Sequence, residues 1–130
     1  RIIMVASSFS QQFDIDRVGD SIAEELENAL DRGVSVSLLM RPKLVDQLPE
    51  SVGERYQSVL STNEAFETRI SPNVTGTFEV IDDAEVCIEV PHPLNSEATF
   101  AMIDLKDREF AANVRSEFEP RWEEADPLNL

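Results

Sequence analysis

Few residues in this 130-residue chain carry the groups that covalent catalysis needs. A nucleophilic mechanism requires an activated Ser, Cys, Lys or His with a base at hand. The one histidine, His92, stands between Pro91 and Pro93, a setting that suits fixing a loop or facing solvent. The one cysteine, Cys87, sits inside an alternating apolar stretch and reads as a small buried hydrophobe. A single Cys and a single His exclude an internal disulfide, a Cys-based zinc site and any paired-His ligand spacing, so no metal is expected. Asp82 and Asp83 are adjacent and read as turn formers rather than ion ligands. Gly19, Gly33, Gly53 and Gly76 are too dispersed for a phosphate-cradling loop, and no cofactor is expected. The recognition groups that remain are Ser7, Ser8 and Phe9 after the first apolar run, Arg41 after the second, and Thr75 and Thr77 ahead of Asp82. Hydroxyls with one Arg suit a polyol or a phosphorylated metabolite. The alternative is that Ser7 and Ser8 cap a turn while Arg41 pairs with surface acids.

The elements that must position these groups follow from periodicity. Residues 75–90 alternate apolar and polar on both sides of Asp82-Asp83-Ala84, the pattern of a half-buried β-hairpin. Phe78 and Val80 point one way, and Thr77, Glu79 and Ile81 the other. Ile2–Ala6 is wholly apolar, as a strand covered on both faces would be. Asp14 or Asp16 can cap a helix whose stripe is Ile15, Val18, Ile22, Leu26 and Ala29, with Gly33 as its C′ residue. A strand over residues 34–40 then completes a β-α-β unit with parallel strands and a right-handed crossover. Residues 44–61 suggest one or two short helices burying Val52, Tyr56, Val59 and Leu60, and residues 66–70 a third strand. Residues 91–96 are expected to form a loop because of the two prolines. A strand over 99–105 follows, then a helix with Phe110, Val114, Phe118, Trp122 and Ala125 on one stripe, with a kink or a restart near Glu119 because of Pro120. The expected fold is an α/β single domain over residues 1–130, a mixed, mostly parallel sheet of about six strands with helices packed on it.

Composition sets further bounds. The chain is 42% hydrophobic, enough to bury a core, and no apolar run is long enough to span a bilayer. It carries 26 acidic against 11 basic residues, net −15, spread through every segment. Such a surface repels itself in dilute buffer and is relieved at molar salt, where the Debye length is about 3 Å. A cytoplasmic protein of a salt-loaded cell is expected, with no membrane partner. The absence of a basic stripe excludes DNA binding by this segment itself. Arg1 runs directly into a core strand pattern with no leader, so the expectation is a fragment of a longer chain.

The order of elements and one strand bring a family into view. Thr75-Gly76-Thr77-Phe78-Glu79-Val80-Ile81-Asp82 resembles the His-x-Lys-x-x-x-x-Asp strand of phospholipase D-like enzymes, with Asp82 kept, Thr75 at the His position and Thr77 at the Lys position. His92 does not substitute, since Leu94 stands at the Lys position after it. With residues 81–91 and 118–125, the chain resembles the effector domain of archaeal TrmB-type transcription regulators in their haloarchaeal members. That resemblance implies a catalytically inactive phospholipase D-like domain, a homodimer, and a small-molecule effector such as a sugar or sugar phosphate. It also implies that DNA is bound only through an N-terminal winged helix upstream of residue 1. The effector would lie at the carboxyl ends of the parallel strands, among Ser7, Ser8, Phe9, Arg41, Thr75 and Thr77. Two other readings stay open: a dimerisation module without ligand, and a phospholipase D-type phosphodiesterase, which the two threonines oppose.

Overall fold

A computed structural model describes residues 1–7 and 15–128, and of residues 15–18, 96 and 97 the backbone alone. Seven strands form one mixed sheet: β1 (Ile2–Ala6), β2 (Val36–Met40), β3 (Phe66–Ile70), β4 (Phe78–Ile81), β5 (Glu85–His92), β6 (Asn95–Leu105) and β7 (Asp126–Pro127). Their order across the sheet is β6-β5-β4-β1-β2-β3-β7. The helices are α1 (Ile15–Asp31), α2 (Pro42–Val45), α3 (Glu50–Ser58) and α4 (Arg108–Glu124), with a 3-10 turn at Leu60–Thr62.

The expected β-α-β unit is present, with β1 parallel to β2 and β2 parallel to β3. The sheet is not mostly parallel, however. The pairs β1–β4, β3–β7, β4–β5 and β5–β6 are antiparallel, because the second half of the chain arrives as consecutive hairpins. Gly33 ends α1 at φ 84°, with its own N–H on the Leu30 carbonyl and the Val34 N–H on the Ala29 carbonyl. Those two bonds are the Schellman closure that only a residue tolerant of positive φ completes without strain. Asp16 lies inside α1 rather than capping it, and Asp14 falls outside the described residues.

The β4–β5 hairpin has the expected turn. Asp82 and Asp83 both take positive φ, 52° and 54°, and the Ala84 N–H reaches the Ile81 carbonyl at 3.0 Å. Positive φ at both central residues matches the right-handed twist of the strands it joins. The tip is tied to α4 by Arg115 and Asp83 at 2.6 Å.

Period two divides the sheet into two faces. Ile3, Val5, Leu39, Val80 and Val86 pack against Ala111, Phe118 and Trp122 of α4. On the other face Val36 and Phe66 pack with Leu30 and Leu60, flanked by Met4, Leu26, Leu38 and Tyr56. Asp107 caps α4 by accepting the Phe110 N–H at 3.1 Å. At the far end the Arg69 guanidinium lies 4.5 Å from the centre of the Trp122 ring and donates to the Trp122 carbonyl at 2.7 Å. A cation at a helix C-terminus also meets the negative end of the helix dipole.

Three further expectations are corrected. Residues 91–96 are not a loop: β5 runs through His92 and β6 begins at Asn95, with irregular pairing at Val90, Pro91 and His92. Beyond Glu89, whose N–H still reaches the Thr77 carbonyl, β5 is paired on one side only, so Pro91 withdraws no ladder donor on the β4 side. The last helix does not restart near Pro120, which sits exposed inside α4. Finally, Val59 is 44% exposed, and Leu44 joins Leu60 as a buried anchor of the 42–62 segment.

Candidate functional site

The carboxyl ends of β1 and β2 open onto the face of the sheet that α1 and α3 roof. Between that roof and the sheet lies a cavity of about 550 Å³. Its walls are apolar: Met4, Leu38 and Met40 below, Ile22, Ala23 and Leu26 of α1 above, and Tyr56 and Phe66 at the back. The few polar groups are Thr68, Thr77, Glu79, Cys87, Glu89 and Thr99. No Lys or Arg is among the described lining residues.

The polar groups come from two places. Thr68 comes from β3, is 5% exposed, and its Oγ1 has no hydrogen-bond partner. An unpaired buried hydroxyl is costly to leave dry, so it marks a place where a ligand group or water gains a bond. The others come from the acidic side of the β4–β5–β6 hairpins. Glu79 and Cys87 sit opposite each other, as do Cys87 and Asp104, and Glu89 and Met102. Glu89 accepts a hydrogen bond from the Thr99 hydroxyl at 3.0 Å. Glu79 has no hydrogen-bond or ion-pair partner among the described residues, and burial raises its pKa above the ordinary 4.5. Burial first, and then the charges of Asp104, Glu79 and Glu85, raise the pKa of the Cys87 thiol. A thiol held protonated is a poor nucleophile. Cys87 is half-buried and leans on Asp104 at 3.7 Å, so it is not the fully buried hydrophobe expected from its strand.

Glu85, Cys87 and Asp104 offer ligand atoms within 4.8 Å of one another at the outer edge of this face. The hydrogen bond to Asp104, followed by desolvation and the Asp104 charge, raises the pKa of Glu85. His92 ends β5: its Nδ1 accepts the Leu94 N–H at 3.0 Å across the turn to β6, and the ring meets Phe100 edge-on at 5.8 Å.

The residues singled out in the sequence are partly brought together. Ser7 and Thr77 meet, the Ser7 N–H donating to Thr77 Oγ1 at 3.2 Å and the two hydroxyls lying 3.3 Å apart. Thr77 lines the large cavity. Thr75 does not share its face. It precedes β4, is exposed, and borders a smaller cavity of about 310 Å³ on the α4 side with Gly76, Glu117 and Arg121. Residues 71–77 form a loop, so strand alternation does not apply to Thr75. The Arg41 amide bonds the Ala6 carbonyl at 3.3 Å, which places its backbone beside Ser7, but Arg41 lines neither cavity. Ser8 and Phe9 lie outside the described residues. Glu79, Glu89 and Thr68 were not singled out. Glu79 and Glu89 show in the sequence only as part of the polar side of two alternating strands, which a solvated face produces equally well, and Thr68 carries no such signal.

Comparison with known proteins agrees with the fold. The profile of a family described as a domain of unknown function, DUF7436, matches residues 1–128. A comparison with curated proteins returned no match. Among solved structures the chain is similar to TrmBL2, an archaeal chromatin protein described as showing a novel mode of DNA binding, with TM-score 0.69 and 20% identity. That alignment covers 98% of this chain and 45% of TrmBL2, so the chain spans less than half of it. It is also similar to Nuc from Salmonella typhimurium, a phospholipase D family member, with TM-score 0.65, 15% identity and coverage of 99% and 82%. NucT from Helicobacter pylori gives TM-score 0.64, 13% identity and coverage of 98% and 81%. At these identities the likeness establishes a phospholipase D-like fold. No helix among the described residues is long and apolar enough to cross a membrane.

Proposed function

We propose that this chain, which belongs to the DUF7436 family, is a catalytically inactive phospholipase D-like domain that binds an effector and dimerises within a TrmB-type transcription regulator. The observation that carries the reading is the fate of the reactive strand. On the His-x-Lys-x-x-x-x-Asp frame that the strand resembles, Thr75 and Thr77 would stand for the nucleophile and the phosphate-binding cation, and the two border cavities on opposite faces of the sheet. Neither offers an activated nucleophile, and two groups on opposite faces do not converge on one phosphorus atom. A large cavity at the carboxyl ends of β1 and β2 supports an effector role over a bare scaffold. DNA contact would belong to other sequence, since a net charge of −15 repels phosphates.

Dimerisation is assigned to β6. It is an outer strand of 11 residues, and Phe100, Met102, Ile103 and Leu105 are 64%, 63%, 43% and 38% exposed. A long apolar edge pairs readily with another strand. Antiparallel pairing of β6 with its copy about Met102 would set Ala101 opposite Ile103, and no two carboxylates of residues 98–105 face each other. Sedimentation at molar KCl is expected to give a dimer for the unaltered domain and a monomer for Ile103→Asp. The same preparation should leave a chromogenic phosphodiester intact. Hydrolysis that Thr75→Ala abolishes would establish the phosphodiesterase reading instead.

A further inference from the structure

We infer that the cavity beneath α1 takes an amphiphilic cation, its apolar body against Met4, Ile22, Leu26 and Leu38 and its ammonium head against Glu79 and Glu89. The inference rests on the reading of this cavity as the effector site and names the class of effector.

Shape and charge both lead there. A polyol set among Met4, Ile22, Leu26, Leu38 and Phe66 would bury hydroxyls with too few partners, at a cost for each one left unpaired. A phosphorylated or carboxylate ligand would meet Glu79 and Glu89 with no described lining cation to offset them. Both expectations drawn from the sequence, a sugar and a sugar phosphate, therefore fit the walls poorly. An alkyl or ring system fits them well, since each buried methylene contributes about 0.8 kcal/mol.

The acidic end then asks for a cation. Glu79 is half-buried and has no hydrogen-bond or ion-pair partner among the described residues, and its cross-strand neighbours are the thiol of Cys87 and Met4, neither a base. Glu89 uses its Oε1 to accept from Thr99, which holds the carboxylate in place. Thr77 stands beside Glu89, its carbonyl accepting the Glu89 N–H at 3.0 Å. An ammonium placed there donates three hydrogen bonds and supplies the missing counter-charge. The Thr68 Oγ1, unpaired at the opposite end of the cavity, would take a polar substituent on the far end of the apolar body. A net charge of −15 also concentrates cations around the domain before any of them enters.

Calorimetric titration in molar KCl with octylammonium, 1-octanol, octanoate and methylammonium tests this. At that salt, loose attraction to the acidic exterior is screened while a buried pair is not. Octylammonium should bind saturably at one site, about tenfold or more tighter than octanol or octanoate, a difference of about 1.4 kcal/mol or more. Methylammonium should not bind. Glu79→Gln should weaken octylammonium about tenfold and leave octanol unchanged, and Ile22→Trp should block both. Octanol or octanoate binding as tightly as octylammonium overturns the cationic class and leaves the effector cavity standing. The absence of saturable binding by all four overturns the effector reading with it. Octylammonium binding that Glu79→Gln and Glu89→Gln both leave unchanged overturns the placement of the head.

Discussion

The two faces of the sheet are made by the same strands and obey different rules. On the α4 side, Ile3, Val5, Val80 and Val86 close onto Ala111, Phe118 and Trp122, and the helix is fixed along its length by Asp107, by Arg115 on Asp83 and by Arg69 on Trp122. On the α1 side, alternate residues of the same strands change character across the sheet. They are apolar under α1 and α3, as Met4 and Leu38 are, and acidic on β4 and β5, as Glu79 and Glu89 are. The first face closes around a smaller cavity of about 310 Å³ bordered by Val5, Val86 and Phe118. The second keeps an apolar cavity that ends in carboxylates. Close packing specifies a fold, whereas an unfilled apolar volume with convergent polar groups is what a binding site needs.

The largest test of that contrast uses adjacent residues of β1. Ile3 is 1% exposed on the α4 side, and Met4 lines the cavity. Ile3→Ala should cost about 2–5 kcal/mol, the range for emptying a well-packed core site. Met4→Ala should cost about 1 kcal/mol, because it enlarges a space that already exists and removes fewer contacts. Urea unfolding of both variants in the same salt checks this. Equal losses would mean that the α1 face is packed as tightly as its opposite.

A second pair of substitutions reverses the sign. Ala111 is fully buried where α4 meets the sheet, and Ala23 is buried in α1 beside the cavity. Ala111→Leu should destabilise by about 1–3 kcal/mol through overpacking. Ala23→Leu has space to occupy and should be neutral or stabilising by up to about 1 kcal/mol. Thermal unfolding of both reads the difference directly, and a Leu at 23 as costly as one at 111 would remove the cavity from consideration.

How far the sequence carried varies with the range of the interactions involved. The hairpin was legible because Phe78, Val80, Val86 and Ile88 keep period two, and because Asp82 and Asp83 are residues that tolerate positive φ. Gly33 was legible for the same local reason. The reach of β5 through Pro91 was not, since it depends on which side of the strand has a neighbour. The continuity of α4 through Pro120 was not legible either, because packing of Phe118 and Trp122 outweighs one lost helix bond. The cavity was hidden for a similar reason. Glu79 and Glu89 read as the wet side of a half-buried strand, and only the placement of α1 and α3 encloses them. The meeting of Ser7 with Thr77 was legible because both sit at the carboxyl end of β1, while the side on which Thr75 lies was not, since strand alternation does not extend into its loop.

The finest test is the pH dependence of Glu79→Gln. Burial against the cavity raises the pKa of Glu79 above 4.5 in the folded chain, while the unfolded chain keeps the ordinary value. Below 4.5 both states are protonated and the residue favours neither. As pH rises through that value the unfolded state releases its proton first, so stability falls until the folded pKa has been passed. Glutamine imitates the protonated form at every pH. Glu79→Gln should therefore match the unaltered protein below 4.5 and become progressively more stable than it above, with the difference levelling off once Glu79 ionises in both states. Urea midpoints across that interval measure it. A difference independent of pH would show that the carboxyl is as well solvated folded as unfolded, and the acidic end of the cavity would then be open water.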